Sequence, residues 1–162
     1  MTAPKLTHLN AAGTAYMVDV TEKQPTVRNA TARGEVACSP DILRALAEGT
    51  VPKGDVLAVA RIAGISAAKQ VPQLLPLAHT IGVHGCSVDL EIREDHVAIE
   101  ATVRTADRTG VEMEALTAVT VAALNIIDMV KGVDRSAYIR TCGITAKSGG
   151  RSGDWNRELP QS

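Results

Sequence analysis

The longest regular alternation of apolar and polar residues in the chain runs from Thr109 to Lys131. Apolar residues recur there at steps of three and four, which is the spacing of a core-facing helix side: Leu116, Val119, Ala123, Ile126 and Val130. Glu112 and Glu114 fall in the first turn, where the helix dipole favours negative charge, and Gly132 follows as a stop signal. The pattern predicts one long helix around which the rest of the chain is organised.

Two further helices are predicted earlier in the chain from their start and stop signals. Ser39 is a typical capping residue, a proline follows at the first helical position, and Gly49 ends the apolar pattern. A second helix is predicted over residues 55–69, after a turn that contains proline and glycine. Its alanine-rich face with Gly64 favours close packing against a neighbouring element.

Strand patterns occur on both sides of these helices. Residues 83–93 and 97–105 alternate apolar with polar positions and predict a hairpin, and strands are also predicted over 16–20, 26–38 and 138–146. The predicted order is β, β, α, α, β, β, α, β. It favours an α+β fold in which helices pack on one face of an antiparallel sheet, close to the ferredoxin-like split βαβ arrangement.

Length, composition and charge limit the kinds of protein to which this sequence can belong. The 162 residues predict one domain over 1–162, with residues 1–15 and 148–162 flexible. A net charge of −1 provides no general basic field for nucleic acid, and one Trp, two Tyr and no Phe leave few side chains to stack on bases. Nucleic acid is therefore excluded as a partner, and anions would bind only at local clusters of Lys and Arg.

Cysteine usage and hydropathy indicate a soluble cytoplasmic protein without a membrane partner. Cys38, Cys86 and Cys142 are odd in number and widely spaced, which argues against a disulfide framework. The first residues lack the apolar region of a secretion signal, and no run of 18 apolar residues occurs. An open sheet edge and alanine-rich helix faces suggest that the protein forms oligomers.

Asp128 and Lys131 lie one helical turn apart on the long predicted helix. They are interpreted either as a surface ion pair or as a carboxylate and an ammonium placed together to move protons. Glu114 lies 14 residues before Asp128, which separates the two carboxylates by about 21 Å along one helix. If both ends are functional, the ligand is long or the site joins helix ends from two subunits.

Two segments have the composition of anion sites. Lys53 precedes the helix predicted over 55–69, and a helix N-terminus with a lysine suits a phosphate; chance placement in a turn is the alternative. Residues 147–154 combine glycine, serine and two cations, which could wrap an anion or form a flexible tail. Arg28 lies on a predicted strand, where simple solvation is the alternative to binding.

A histidine follows the proline-punctuated segment that ends at Leu77. His79 is interpreted either as a structural side chain or as a proton-transfer or base-binding group. With His84 and Cys86 it raises the alternative of a metal site, but these spacings match no established ligand pattern. No metal site is predicted.

Five segments together resemble one family: LTHLNAAGTAYMVDVTEK, KGDVLAVARIAGISAAK, LLPLAH, TGVEMEALTAVTVAALNIIDMVK and AKSGGRSGD. They are similar to the molybdenum-cofactor biosynthesis protein C family, cyclic pyranopterin monophosphate synthase, from about Leu6 to Asp154. The resemblance implies a ferredoxin-like subunit in a homohexamer, a trimer of dimers, with active sites at subunit interfaces. The implied reaction converts (8S)-3′,8-cyclo-7,8-dihydroguanosine 5′-triphosphate, a GTP-derived substrate, to cyclic pyranopterin monophosphate and pyrophosphate.

The same resemblance implies roles for individual residues. Asp128 matches the family's catalytic acid/base position, with Lys131 beside it. The residues implied to contact substrate are Leu77, Ala78, His79, Glu112, Met113, Glu114, Lys53, Lys69, Lys147 and Arg28. Leu-Ala-His-Thr at 77–80 departs from the Leu-Cys-His-Pro common in the family, which puts the pose of His79 in question.

Two alternatives of other classes stay open at the level of sequence. One is a non-catalytic oligomer that binds purine nucleotides and regulates, and the other is a structural oligomer with scattered surface charge. No cofactor is firmly implied. Mg²⁺ often accompanies triphosphates, but no carboxylate cluster in the sequence marks a dedicated protein site for it.

Overall fold

A five-stranded antiparallel sheet and four helices make up the part of the chain, residues 8–157, that the computed structural model describes. The strands are β1 (Thr26–Ala37), β2 (Gly85–Ile92), β3 (His96–Asp107), β4 (Tyr138–Ser148) and β5 (Trp155–Asn156). The helices are α1 (Pro40–Glu48), α2 (Val56–Ala68), α3 (Val71–Leu74) and α4 (Glu112–Val130). The strand order in the sheet is β2-β3-β1-β4-β5. The α+β class expected from the sequence is confirmed.

The central strand β1 separates an apolar face of the sheet from a charged one. β1 pairs with β3 from Thr26↔Asp107 to Ala37↔His96 without interruption, and with β4 on its other side. Alternate residues of β1 and β3 are buried: Ala30, Ala32, Val36, Val97, Ile99, Ala101 and Val103. The residues between them carry ion pairs such as Arg33–Glu100 on the opposite face. The period of two read from the hairpin sequence is therefore the burial pattern of the sheet.

Helix α4 lies on the apolar face of the sheet and forms the centre of the core. Four members of the predicted apolar stripe are fully buried, namely Val119, Ala123, Ile126 and Val130. Gly34 of β1 allows the close approach, because a Cβ atom there would lie 2.6 Å from Val119 Cγ1. The prediction of a long core helix is confirmed, although α4 begins at Glu112 instead of Thr109.

Helix α2 packs beside α4 through small residues. A Cβ atom on Gly64 would lie 2.8 Å from the Ala118 carbonyl oxygen, so only glycine fits at this crossing. The beginning of α2 lies beside the end of α4, because Lys53 bonds to Asp128. The two helices therefore run antiparallel, and the predicted close packing at Gly64 is confirmed.

The predicted boundaries of α1 and α2 agree with the structure to within one residue, because each helix begins after a capping side chain. The Ser39 hydroxyl accepts a hydrogen bond from the Ile42 N–H, and Gly49 ends α1 with a left-handed φ of 66°. Asp55 caps α2 by accepting from the Ala58 N–H, and Lys69 follows its last residue.

The strand predicted over residues 16–20 is wrong. Val18 and Val20 are half-buried and alternate with exposed neighbours, as the pattern suggested, but the segment pairs with no strand among residues 8–157. Its half-buried side chains line a cavity instead. The short elements α3 and β5 were not predicted.

The two ends of the chain extend past the described residues. Residues 1–7 and 158–162, parts of the segments predicted to be flexible, lie outside the described range. Within it, the Asn10 side chain accepts hydrogen bonds from the Ala12 and Thr14 amides, and β5 pairs with β4. By length and composition α4 could cross a membrane, but its buried side packs on the sheet and α2, as in the core helix of a soluble protein.

Candidate active site

Asp128, near the end of α4, forms ion pairs with two lysines. Lys131 Nζ lies 2.7 Å from Asp128 Oδ1, and Lys53 Nζ lies 3.1 Å from Oδ2. Lys53 also donates to the backbone carbonyl of Asp128 at 2.8 Å. All three side chains are about half exposed, so a ligand can reach them from solvent.

These hydrogen bonds set the charge of the carboxylate. Lys131 first, and then Lys53, lower the pKa of Asp128 below its ordinary value. Asp128 is therefore ionised at neutral pH and carries one negative charge between two positive ones. The contact between Asp128 and Lys131 that was considered from the sequence is therefore present. Lys53 is a third member of the cluster, which the sequence spacing did not indicate.

A second group of predicted residues lines a cavity of about 770 Å³ at the other end of α4. Six of them share it: Leu77, Ala78, His79, Glu112, Met113 and Glu114. The walls are formed by the loop after α3, by the first turn of α4 and by Val18 and Val20 of the N-terminal segment. Leu77 and Met113 are exposed, so apolar surface is open to a ligand there.

The two glutamates of this cavity have different surroundings. Glu112 pairs with Lys147 at 3.0 Å. Glu114 is 4% exposed, and this burial raises the pKa of its carboxyl to about 7, with the charge of Glu112 adding to the effect. Glu112 is thus ion-paired, whereas the pH at which Glu114 is half protonated lies close to neutrality.

His79 is held by the backbone of the N-terminal segment. Its Nε2 atom lies 2.6 Å from the Val18 carbonyl oxygen. The loop around it is also fixed, since the Gly82 N–H donates to the Asp107 carboxylate at 3.2 Å and the Gly82 carbonyl accepts from Thr105. The side chain retained in the Leu-Ala-His-Thr loop therefore has a defined position without the cysteine and proline.

Arg28 lies beside the glycine-rich segment that follows β4. Its guanidinium donates to the carbonyls of Asp107 and Arg108, and it lines a cavity of about 560 Å³ with Lys23 and Gly150. Gly149 and Gly150 adopt φ of 86° and 76°, and a side chain on Gly150 would collide with the guanidinium. The glycines thus leave space that Arg28 occupies.

The structure does not bring all predicted residues together in one subunit. Asp128, Lys131 and Lys53 form one cluster, and the cavity residues lie about 21 Å away along α4. Lys147 forms an ion pair with Glu112, which lines the cavity. Arg28 lines the neighbouring cavity, and Lys23 lines both. Lys69 is exposed at the C-terminal end of α2 and lines neither cavity.

The metal alternative finds no geometric basis in residues 8–157. His84 uses Nδ1 to accept from the Ala106 N–H at 3.1 Å, and His79 is bonded to Val18. No group of three or more His, Cys, Asp or Glu side chains suited to a metal ion occurs within that range. Burial raises the pKa of Cys86, which keeps its thiol protonated.

A larger concavity, of about 880 Å³, lies on the charged face of the sheet. None of the predicted site residues lines it. Several of its charged groups pair with one another, as Arg33 does with Glu100 and Arg93 with Glu91. Most of the predicted site residues lie instead at the two ends of α4.

Comparison with known proteins identifies the family of the chain. A model of the MoaC family matches residues 17–150, which include β1 to β4, α4 and both clusters. The chain belongs to the MoaC family. It is 55% identical to a protein named cyclic pyranopterin monophosphate synthase from Streptomyces griseus, over 99% of this chain and 90% of the relative. A protein of the same name from Roseiflexus is 57% identical over 93% of this chain and 96% of the relative.

This MoaC chain also contains residues in and around the His79 cavity that were not singled out from the sequence. Val18, Val20 and Lys23 line the His79 cavity, and Asp107 and Arg108 anchor the segments around it. The only available signal was the N-terminal segment MVDVTEK, which belongs to the family resemblance but has no chemical pattern of its own.

Proposed function

We propose that this chain is a cyclic pyranopterin monophosphate synthase. It would act as a lyase in molybdenum cofactor biosynthesis, converting 3′,8-cyclo-7,8-dihydro-GTP to cyclic pyranopterin monophosphate and pyrophosphate. The observation that carries this proposal is the 55–57% identity, over nearly the whole chain, to proteins that bear this name. No observation favours a non-catalytic nucleotide-binding oligomer or a purely structural one.

The charged groups of the site suit a triphosphate, because a nearly neutral protein can bind such an anion only where its cations are concentrated. Lys53 and Lys131 supply two ammonium groups at one end of α4, and Arg28 and Lys147 supply two cations at the other. Cations at the phosphates stabilise the negative charge that develops on the leaving pyrophosphate. Lysine, a point charge on a flexible stem, can follow a phosphate that moves during cyclisation.

The proton-transfer groups suit the conversion of a fused purine ring to a pterin. We assign Asp128, with Lys131, as the acid/base couple for ring opening and reclosure. His79 and Glu114 would bind the ring in the cavity at the other helix end. Attack of a ribose-derived hydroxyl on the α-phosphate would then expel pyrophosphate and close the cyclic phosphate.

We further propose a ferredoxin-like subunit in a hexamer, a trimer of dimers in the cytoplasm, with the whole chain as one domain. The antiparallel order β4-β1-β3-β2, with helices between β1 and β2 and between β3 and β4, supports the ferredoxin-like assignment. Exposed apolar side chains on the outer helix faces support assembly: Val59, Ile62 and Leu124. Interface sites would unite the two clusters that lie apart in one subunit.

The test is direct. The purified protein is incubated with 3′,8-cyclo-7,8-dihydro-GTP while pyrophosphate release and the pterin product are followed. We expect both products from the wild type and their loss in Lys131→Ala. Binding of the substrate without product would transfer support to the regulatory alternative, and absence of both binding and product would support the structural one.

A further inference from the structure

The N-terminal segment 16–24 forms a strap across the cavity that contains His79. Val18, Val20 and Lys23 of the strap line that cavity. The strap is anchored where Arg108 Nε donates to the Lys23 carbonyl at 2.9 Å. Its bend is fixed by the Asp19 carboxylate, which accepts from the backbone N–H of Thr21 at 2.9 Å. The Val18 carbonyl therefore has a defined direction.

The contact with Val18 determines which ring nitrogen of His79 carries a proton. A backbone carbonyl can only accept a hydrogen bond, so Nε2, at 2.6 Å, must be the donor. In the neutral imidazole the other nitrogen then has a free lone pair. The strap thus selects the Nε2–H tautomer of His79 and leaves Nδ1 as an acceptor.

The loop that carries His79 is fixed independently of the strap. The Thr105 hydroxyl donates to the Gly82 carbonyl at 2.5 Å, and the Gly82 N–H donates to Asp107. His84 Nδ1 accepts from the Ala106 N–H at the edge of β3. Since both sides of the His79–Val18 contact are anchored, ring rotation that would exchange the two nitrogens is opposed.

Glu114 lines the same cavity. Its carboxyl is buried, and a buried carboxyl in the protonated form is a hydrogen-bond donor. The Nδ1 acceptor suits the N–H group of a ring amide, in which a C=O group and an N–H group are adjacent.

We propose that His79 accepts a hydrogen bond through Nδ1 from the N–H group of a ring amide of the substrate. Val18 acts as a positioning residue through its backbone carbonyl. This inference rests on the proposed synthase function, because that function supplies a guanine-derived ring with such an amide. It assigns His79 a role as acceptor instead of proton donor.

The tautomer can be measured without substrate. Long-range ¹H–¹⁵N correlation spectra of protein labelled with ¹⁵N-histidine are recorded at pH 7.5, with His79 assigned from its absence in His79→Gln. Two other histidines provide internal references. His84 accepts a backbone N–H at Nδ1 and should show the Nε2–H pattern. His96 Nδ1 lies 2.6 Å from the Asp95 carboxylate, and Nε2 lies 3.9 Å from Glu35, so His96 should show a proton on Nδ1.

We expect the His79 signals to resemble those of His84. Signals that resemble those of His96, or a doubly protonated ring, would overturn the proposal. In Asp19→Ala, which removes the bend of the strap, we expect a mixture of tautomers and a lower kcat/KM. Asn10→Ala removes a similar turn whose side chain does not line the cavity, and should change neither.

Turnover tests the acceptor role separately. His79→Gln places an amide donor near the position of Nε2 and has no counterpart of Nδ1, so we expect it to keep its melting temperature and lose at least tenfold in kcat/KM. Wild-type kcat/KM in this variant would overturn the acceptor role. If the wild type itself makes no product, the proposed function fails, and the spectra still decide the tautomer.

Discussion

At the scale of single residues, Asp128 neutralises part of the positive charge of two lysines, one just before α2 and one at the end of α4. Its carboxylate lies between the ammonium groups of Lys53 and Lys131 at hydrogen-bond distance from both. Without it, two like charges at the junction of α2 and α4 would repel each other and rotate away into solvent. The carboxylate therefore holds the lysines in position, in addition to the role of base proposed for it.

Asp128→Asn tests this role. The amide has the same size but neither the charge nor the basicity, so we expect kcat to fall by about 10²- to 10⁴-fold. Thermal stability should change little, because the side chain is 57% exposed. Asp41→Asn is the matched control, since Asp41 and Arg44 form an exposed pair of the same spacing on α1. Near wild-type turnover in Asp128→Asn would refute the assignment.

Glu114 gives the folded protein a pH dependence of defined sign. Burial raises the pKa of its carboxyl from 4.5 to about 7, so the folded state retains a proton that the unfolded chain loses. This contribution to stability is complete below pH 4.5 and is lost as pH rises through about 7. The free energy of unfolding should fall by at most about 1.4 kcal/mol per pH unit in that window.

The measurement is urea unfolding of wild type and Glu114→Gln from pH 4.5 to 8 at one protein concentration. The variant should lack this slope, so the difference between the two proteins should change with pH. Glu48→Gln, at the exposed end of α1, controls for the change from acid to amide. A difference independent of pH would show that the pKa of Glu114 is the same in the folded and unfolded states.

Only part of this residue-level detail could be predicted from the sequence. The Asp128–Lys131 pair could be predicted because residues three apart on a helix have neighbouring side chains. Lys53 lies 75 residues from Asp128, and their contact exists only because α2 packs antiparallel to α4. The same holds for Val18 and His79, 61 residues apart, where a backbone carbonyl with no sequence signature makes the contact.

At the scale of elements, one glycine sets the distance between α4 and the sheet. A Cβ atom on Gly34 would lie 2.6 Å from Val119 Cγ1 and 3.1 Å from the Thr141 carbonyl oxygen. Val119 is fully buried, and the close packing of a protein core leaves little room for it to move. The position of α4, and with it both clusters at its ends, depends on this contact.

Gly34→Ala should therefore destabilise the protein by about 1–3 kcal/mol, the range typical of overpacking. Gly143→Ala is the matched control, because Gly143 lies in the same β1–β4 ladder and its added Cβ would contact nothing within 4 Å. Chemical denaturation of the two variants at equal concentration gives the comparison. Equal stabilities would mean that α4 and β1 adjust without cost.

The elements with local signals were predicted well, and those defined by distant partners were not. Caps at Ser39 and Asp55, and the glycine after α1, fix boundaries through hydrogen bonds within a few residues. The strap 16–24 has the alternation of a strand but lies against the site loop, because its half-buried valines face that cavity. Periodicity specifies which side chains are covered and does not specify what covers them.

At the scale of the whole molecule, the separation of the two clusters is the main constraint on how the protein works. Asp128 and Glu114 lie about 21 Å apart along a single rigid helix. A substrate held by both ends of α4 in one subunit would have to bridge the length of the helix. The proposed interface sites avoid this, since one subunit would supply the Asp128 cluster and its neighbour the His79 cavity.

Complementation between subunits tests this arrangement. Asp128→Asn and His79→Gln each remove one end of the proposed site and should be inactive as separate proteins. When the two are unfolded together and reassembled, a site that takes Asp128 from one chain and His79 from the other is intact. With random mixing we expect about a quarter of the sites, and so of the wild-type activity, to return.

The same mixture distinguishes the alternative. If each subunit has a complete site, every chain in the mixture retains one defect, and activity stays at the level of the separate variants. Mixing Asp128→Asn with Lys131→Ala is the control, because both changes damage the same cluster and no combination of chains restores it. Recovery in the first mixture and none in the second would place Asp128 and His79 of one site in different chains.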